Sequence, residues 1–314
     1  MSVRGQLDAI DAALLRAAEA ETPMVTEAAQ HIIAAGGKRF RPLLVTLTAQ
    51  LGPTPVDEDV VKAGVVVELT HVASLYHDDV MDEARMRRGS VSANSRWGNT
   101  VAILVGDFLF ARASDLVSEL GADYVSIQAR TFGRLVQGQI AETVGPQPGQ
   151  DPLDHYLGVV ADKTAALIST SALFGAKISG CSPERQQRMA EFGERIGSVF
   201  QLSDDIIDIT SDVTGKTPGT DLREGIPTLP TLLARRSTDP ADARLLELLD
   251  SDLRDDDALR EALGLLRRHP AIDQARAEVE RRADAARDLL SDLPPGPARL
   301  ALEELCESVV NRSV

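Results

Sequence analysis

Aromatic residues make up only 4% of this chain of 314 residues, and bases are outnumbered, 33 Lys and Arg against 48 Asp and Glu, a formal charge of −15. A chain this acidic repels a phosphate backbone, which excludes nucleic acid as the partner class. The sum says less about metals and small phosphorylated molecules, which respond to local charge. Cysteine is nearly absent: Cys181 and Cys306 stand far apart with no CxxC spacing, so a reduced, cytoplasmic chain is expected. The opening MSVRGQLDAIDAALL carries acids where a signal peptide needs an uninterrupted apolar core. Long apolar runs are missing too. None approaches the ~20 residues of a membrane span, and the best stretch, 101–111, is broken by Gly106 and Asp107. Strand signals are scarce, with no alternating runs joined by Asn-Gly or Asp-Gly turns.

What the chain has is helix. Alanine and leucine, both strong helix formers, dominate the composition. Ser182-Pro183-Glu184 reads as an N-cap, a proline at the first helical position and an acid in the first turn, and Asp151-Pro152 repeats that start. From His269 to Leu290, residues Ile272, Ala275, Val279, Ala283, Ala286 and Leu290 recur three or four apart, an amphipathic stripe suited to core packing. Beyond Pro294-Pro295-Gly296-Pro297 a last helix carries Leu302, Leu305 and Val309 on one face. Loops are expected at 52–55, 145–152, 215–230, 237–240 and 293–297, none long enough to mark a linker. The length suits one large domain or two ordinary ones. With no linker and no internal repeat, a single all-α domain over residues 1–314 is expected, with too many helices for a four-helix bundle.

Two segments break the rule that acids belong on solvated faces. They are His71-Val-Ala-Ser-Leu-Tyr-His-Asp78-Asp79-Val-Met-Asp82 and Phe200-Gln201-Leu-Ser-Asp204-Asp205-Ile-Ile-Asp208-Ile209. Each is a DDxxD embedded in apolar sequence. On a helix, Asp78 and Asp82 share a stripe with Asp79 at its shoulder, and Asp204, Asp208 and Asp205 repeat the arrangement with Gln201 one turn before. A lone DDxxD is ordinarily a solvated acidic face. Two copies in apolar surroundings, with no Lys or Arg interleaved, call for a hard divalent cation, and magnesium binds through one or two carboxylates plus substrate phosphates.

Cations gather where such phosphates would need them. Gly36-Gly37-Lys38-Arg39-Phe40-Arg41-Pro42 sets three bases behind a glycine turn, Arg87-Arg88-Gly89 follows the first motif, Lys163-Thr164 sits in an apolar segment, and Lys216 follows the second motif. Arginine forks and lysine point charges both suit diphosphate.

With these pieces in place the sequence resembles the trans-isoprenyl diphosphate synthases, or polyprenyl synthetases. The matching motifs are GGKRFRP, HVASLYHDDVMDEARMRRG, DKTAAL, FQLSDDIIDI and TGKTPGTDLREG, in family order from residue 36 to about 230. The resemblance implies an all-α, isoprenoid-synthase-type bundle of antiparallel helices around a deep central cavity, assembled as a homodimer. It implies aspartate motifs facing each other across the cavity mouth, holding three Mg2+ ions on an allylic diphosphate. Carried over, Asp78 and Asp82 are metal ligands with Asp79 supporting, and Asp204 leads the second set with Asp205 and Asp208 beside it. Lys38, Arg41, His71 and Arg88 match the isopentenyl diphosphate pocket. Arg87, Lys163, Thr164, Gln201 and Lys216 match the allylic diphosphate contacts. His71, seven residues before Asp78, lies two turns down the same stripe and roughly 10 Å away, a fitting offset between two reacting diphosphates. His77 reads either as a core histidine or as a support behind the metal ligands, and Asp107 and Trp97 read as structural. One departure stands out: many members carry a lysine after GTDLREG, where this chain has Ile226-Pro227.

The reaction so implied is metal-assisted ionisation of the allylic diphosphate, attack by the isopentenyl double bond and loss of a proton. A bulky side chain four or five residues before the first DDxxD blocks the growing tail in this family. Here those positions are Ser74 and Ala73, both small, so a long chain is expected first and geranylgeranyl second. The rival readings are a class I terpene cyclase, whose second metal motif normally mixes in Asn and Ser or Thr, and a regulatory subunit of a heteromeric synthase, which usually lacks an aspartate motif.

Overall fold

Helix punctuation in the sequence becomes helix boundaries in the structure, a computed structural model that describes residues 1–54, 56–210 and 218–311. Asp151 accepts hydrogen bonds from the Leu153 and Asp154 N–H groups ahead of Pro152, and the Ser182 hydroxyl accepts one from Arg185 ahead of Pro183. In chain order the helices are α1 (Val3–Ala17), α2 (Pro23–Ala34), α3 (Phe40–Ala49), α4 (Asp57–Met81), α5 (Ala93–Trp97), α6 (Asn99–Ser118), α7 (Ala122–Val144), α8 (Pro152–Val159), α9 (Ala166–Ile178), α10 (Pro183–Thr210), α11 (Thr220–Glu224), α12 (Leu229–Ala234), α13 (Ala243–Leu249), α14 (Asp256–Leu266), α15 (Ala271–Asp288) and α16 (Pro297–Asn311). A π-helical segment, Val160–Ala165, joins α8 to α9. Between α4 and α5 lies the one strand pair among the described residues, β1 (Met86–Arg87) antiparallel to β2 (Ser90–Val91). The all-α expectation holds.

Packing divides the chain into two compact units, one of Met1–Gly133 with Leu167–Gly193, the other of Arg134–Ala166 with Glu194–Val314. In the first unit α4 is apolar around most of its circumference. Val60, Val66, Leu69, Val72 and Tyr76 are all fully buried, and a helix apolar on most sides must be packed against on those sides. Helices α1, α3 and α6 do this, with Ile10, Leu14 and Leu109 in the shared core. The Tyr76 hydroxyl donates to the Ala28 carbonyl at 2.5 Å and accepts from the Ile32 N–H at 3.3 Å, which satisfies its one polar atom in that interior.

In the second unit the predicted stripe on α15 is the buried one: Ile272, Ala275, Val279, Ala283, Ala286 and Leu290 all face the core. On α16, Leu302 and Val309 are buried as expected, while Cys306 rather than Leu305 completes the face. Both cysteines are free and buried. The loop expected over 215–230 contains α11, whose first N–H groups, those of Thr220 and Asp221, donate to the Asp208 carboxylate. That long-range cap is invisible to local sequence signals. Among the described residues the long apolar helix is Pro152–Ile178 rather than 101–111. It is long and apolar enough to cross a membrane, and 61% of its apolar window is buried inside the protein.

Candidate active site

The first aspartate motif sits where α4 runs out. Asp78 is half-buried, Asp82 is exposed at the C-cap, and Asp79 is fully enclosed. The Asp79 Oδ1 accepts from Arg87 at 2.6 Å (Nε) and 2.5 Å (Nη2), and its main-chain carbonyl accepts from Asn94 and Ala84. Burial pushes the Asp79 carboxyl up, against the pull of the Arg87 charge, and its Oδ2 has no hydrogen-bond partner. Asp79 therefore anchors the β1–β2 hairpin beneath the motif, and Arg87 is engaged with it at 29% side-chain exposure.

About three turns back on α4, basic side chains converge on a carboxylate that sequence reasoning missed. Glu68, 2% exposed, accepts from Arg39 Nη1 at 3.0 Å and lies 3.6 Å from Arg88 Nη2. Arg39 and Arg88 both hold left-handed backbone, φ 48° and 51°, an uncommon conformation for a residue with a side chain. Gly37 lies against the Arg88 guanidinium, and a Cβ there would stand 2.9 Å from its Cζ. Arg41 is pushed down to about 10 by burial, with Glu68 raising and Arg88 lowering it, and its buried Nε has no hydrogen-bond partner. Burial and the charges of Arg41, Arg88, Arg87 and Arg39 hold His71 well below its ordinary range, which favours the uncharged ring. Lys38 is exposed beside this group.

Near the first motif, Ser74 is partly exposed and donates to the His71 carbonyl at 2.8 Å, whereas Ala73 is fully buried in the core. Of the two small residues, Ser74 is the one with a solvent-accessible surface. His77 has its structural reading supported: its Nε2 lies 3.0 Å from the Ile103 carbonyl and 3.4 Å from Asp107, with Gly106 packed on the ring.

The second unit carries the other set. Asp205, on α10, is 2% exposed and saturated. The Tyr156 hydroxyl donates to it, as do the Leu229 N–H at 3.0 Å and Gln201 Nε2 at 3.1 Å. Burial pushes its carboxyl up to about 7, against the pull of those donors. Gln201 in turn accepts from the Thr164 hydroxyl at 3.2 Å. Asp204 and Asp208 are half-buried on the same helix, Asp208 also serving as the cap of α11.

Lys163 and Thr164 lie in the π-helical segment, a local unwinding often found at functional positions. Lys163 donates to Glu142 on α7, which also accepts from Gln139 at 3.2 Å. A Cβ on Gly138 would stand 2.6 Å from the Lys163 nitrogen, so glycine permits this close approach. Arg134 fastens the segment from below, with its Nε 2.7 Å from Asp162 and its Nη2 2.7 Å from Glu194. Glu142, Arg134 and Tyr156 were not singled out from sequence, because their partners lie far along the chain. Lys216 lies outside the described residues.

Asp78 and Asp82 in the first unit and, separately, Asp204 in the second are oxygen donors with accessible surface, the chemistry a hard divalent cation takes. No three metal-ligating side chains form a ready-made cage among the described residues. Magnesium bound through one or two carboxylates, waters and substrate phosphates needs none, so the donor set fits.

Comparison with known proteins points the same way. The family model for polyprenyl synthetase matches residues 22–266. A nonaprenyl diphosphate synthase of Mycobacterium tuberculosis is 47% identical, covering 97% of this chain and 95% of the relative. Geranylgeranyl pyrophosphate synthase of Corynebacterium glutamicum, solved with calcium and isoprenyl diphosphate, matches with a TM-score of 0.89 at 43% identity, over 99% of this chain and 96% of that one. A decaprenyl diphosphate synthase of Rhodobacter capsulatus matches with a TM-score of 0.89 at 32% identity, over 100% of this chain and 98% of that one.

Proposed function

The chain belongs to the polyprenyl synthetase family, and on that premise we propose a magnesium-dependent, long-chain all-trans polyprenyl diphosphate synthase within a single functional domain. It is a trans-prenyltransferase that joins isopentenyl diphosphate head to tail to an allylic diphosphate. One observation carries the reading. A single helix, α4, presents a cationic pocket around Glu68 and His71 and, two turns on, an acid-rich end at Asp78 and Asp82. That is a seat for one diphosphate beside a metal-dependent seat for another.

In this reading Lys38, Arg41, His71 and Arg88 hold isopentenyl diphosphate, the neutral His71 donating one N–H. Asp78, Asp82 and Asp204 hold the ions, Asp208 stands beside them, and Asp79 and Asp205 act by positioning. Three Mg2+ ions, when bound there with the allylic diphosphate, would supply the charge that makes diphosphate a leaving group. Lys163, Thr164 and Gln201 contact that diphosphate, and the Lys163 ammonium offsets negative charge building on the leaving oxygen as the C–O bond breaks. Held by the arginine pocket, the isopentenyl double bond attacks the allylic carbocation, and the proton then lost goes to the departing diphosphate.

Small side chains at Ala73 and Ser74 support a product longer than farnesyl. The relatives named for nonaprenyl and decaprenyl products put a long chain first, with geranylgeranyl second. The apolar stripe Val125, Phe132, Val136, Ile140 and Val144 on α7 is 36–65% exposed, which supports pairing with a second copy of the chain. We place the enzyme in the cytoplasm, in keeping with its free cysteines.

The purified chain, given labelled isopentenyl diphosphate, geranyl diphosphate and Mg2+, should incorporate label, and EDTA should abolish incorporation. A cyclase would leave the label unused, and a regulatory subunit would be inactive alone.

A further inference from the structure

Arg39 uses every guanidinium nitrogen within the protein. Its Nε donates to Asp11 at 2.6 Å, its Nη1 to Glu68 at 3.0 Å and to the Gly36 carbonyl at 3.4 Å, and its Nη2 to the Ile33 carbonyl at 3.1 Å. It is a strut, with four of its five N–H donors committed within the protein. Arg88 is half-committed: its Nη1 donates to the Ile32 and Gly36 carbonyls, while its Nη2 rests 3.6 Å from Glu68. Arg41 keeps a buried Nε with no partner. Guanidiniums crowded in a partly buried pocket repel one another, and each is costly to enclose without a counter-charge. Glu68 is 2% exposed and supplies that charge from the middle of the group, one helical turn before His71 on the same face of α4.

We infer that Glu68 is the positioning residue of the isopentenyl diphosphate pocket, bracing Arg88 through its carboxylate and keeping Arg41 enclosed and ready for the ligand. The inference rests on the pocket assignment made above and adds a residue to it. Two carboxylates, Glu68 and Asp11, against Lys38, Arg39, Arg41 and Arg88 leave the pocket net positive, so a diphosphate completes the balance instead of competing for it. Arg39 fixes Glu68 from the other side and sets its orientation.

The test is steady-state kinetics of Glu68→Gln, which keeps an acceptor for Arg39 but removes the charge. KM for isopentenyl diphosphate should rise by about tenfold or more, with kcat and the KM for the allylic substrate within about twofold. A purely structural role would lower stability without that split. Should the single variant fold poorly, Glu68→Gln with Arg39→Met removes both charges of the strut pair and should fold while still showing the raised KM. Arg88→Met serves as the control for the pocket itself. If Arg88→Met raises KM for isopentenyl diphosphate and the folded Glu68 variants do not, the role of Glu68 is overturned while the pocket stands. If Arg88→Met leaves that KM unchanged, the pocket assignment fails and the inference fails with it.

Discussion

Asp204 and Asp205 are neighbours in one motif and differ in what surrounds them. Asp204 keeps accessible surface, whereas Asp205 is enclosed and bound by the Tyr156 hydroxyl, the Leu229 N–H and Gln201. Asp204→Asn should therefore lower kcat by about a thousandfold, the scale of a lost transition-state charge partner. Asp205→Asn keeps an acceptor for Tyr156 and Leu229, which share Oδ2, gives up the one for Gln201, and should stay within about tenfold of the parent. Steady-state rates of the two purified variants check the contrast, and equal losses would remove the distinction between ligand and positioning acid. At this scale the sequence showed acids out of place in apolar surroundings, and that signal found both triplets. Glu68, set in Val65-Val-Val-Glu68-Leu-Thr-His71, carries the same signal singly and was passed over because no spacing partner marks it. Tyr156 could not be found this way, since its partner lies 49 residues on.

Helix α4 and the π-helical segment do the placing. The C-terminal part of the former was readable from the first aspartate motif set in apolar sequence, and the stripe on α15 from three-and-four spacing. Neither periodicity nor capping shows that Val160–Ala165 unwinds into a π-helix, and the contacts it makes, with Gly138 and Arg134, come from residues more than 20 positions earlier in the chain. Gly138→Val should press on the Lys163 backbone, lower stability by about 1–3 kcal/mol and raise KM for the allylic substrate. Thermal denaturation with kinetics checks this, and an unchanged melting temperature would show that the contact relaxes freely. One turn before Asp78 on α4, Ser74→Phe should shorten the product. A product distribution unchanged by the phenylalanine would show that the growing tail does not pass this face.

At the scale of the whole molecule, a charge of −15 sits beside a pocket built from arginines. The sum disfavours nucleic acid and has no bearing on diphosphate, because the acids of the two motifs are read as holding cations and the bases cluster locally. Family, helical class and reaction type were all readable from motif order, while the division into two packed units was not, since no linker or change of composition marks it. Product length depends on the full apolar path open to the tail, and only Ser74 and Ala73 speak to it from sequence. The most direct test of the central claim is mass spectrometry of products made from isopentenyl diphosphate with geranyl, farnesyl or geranylgeranyl diphosphate and Mg2+. A ladder of linear diphosphates rising by one isoprene unit and extending past farnesyl is the predicted result. A cyclised hydrocarbon, or a ladder that stops at farnesyl, would contradict it.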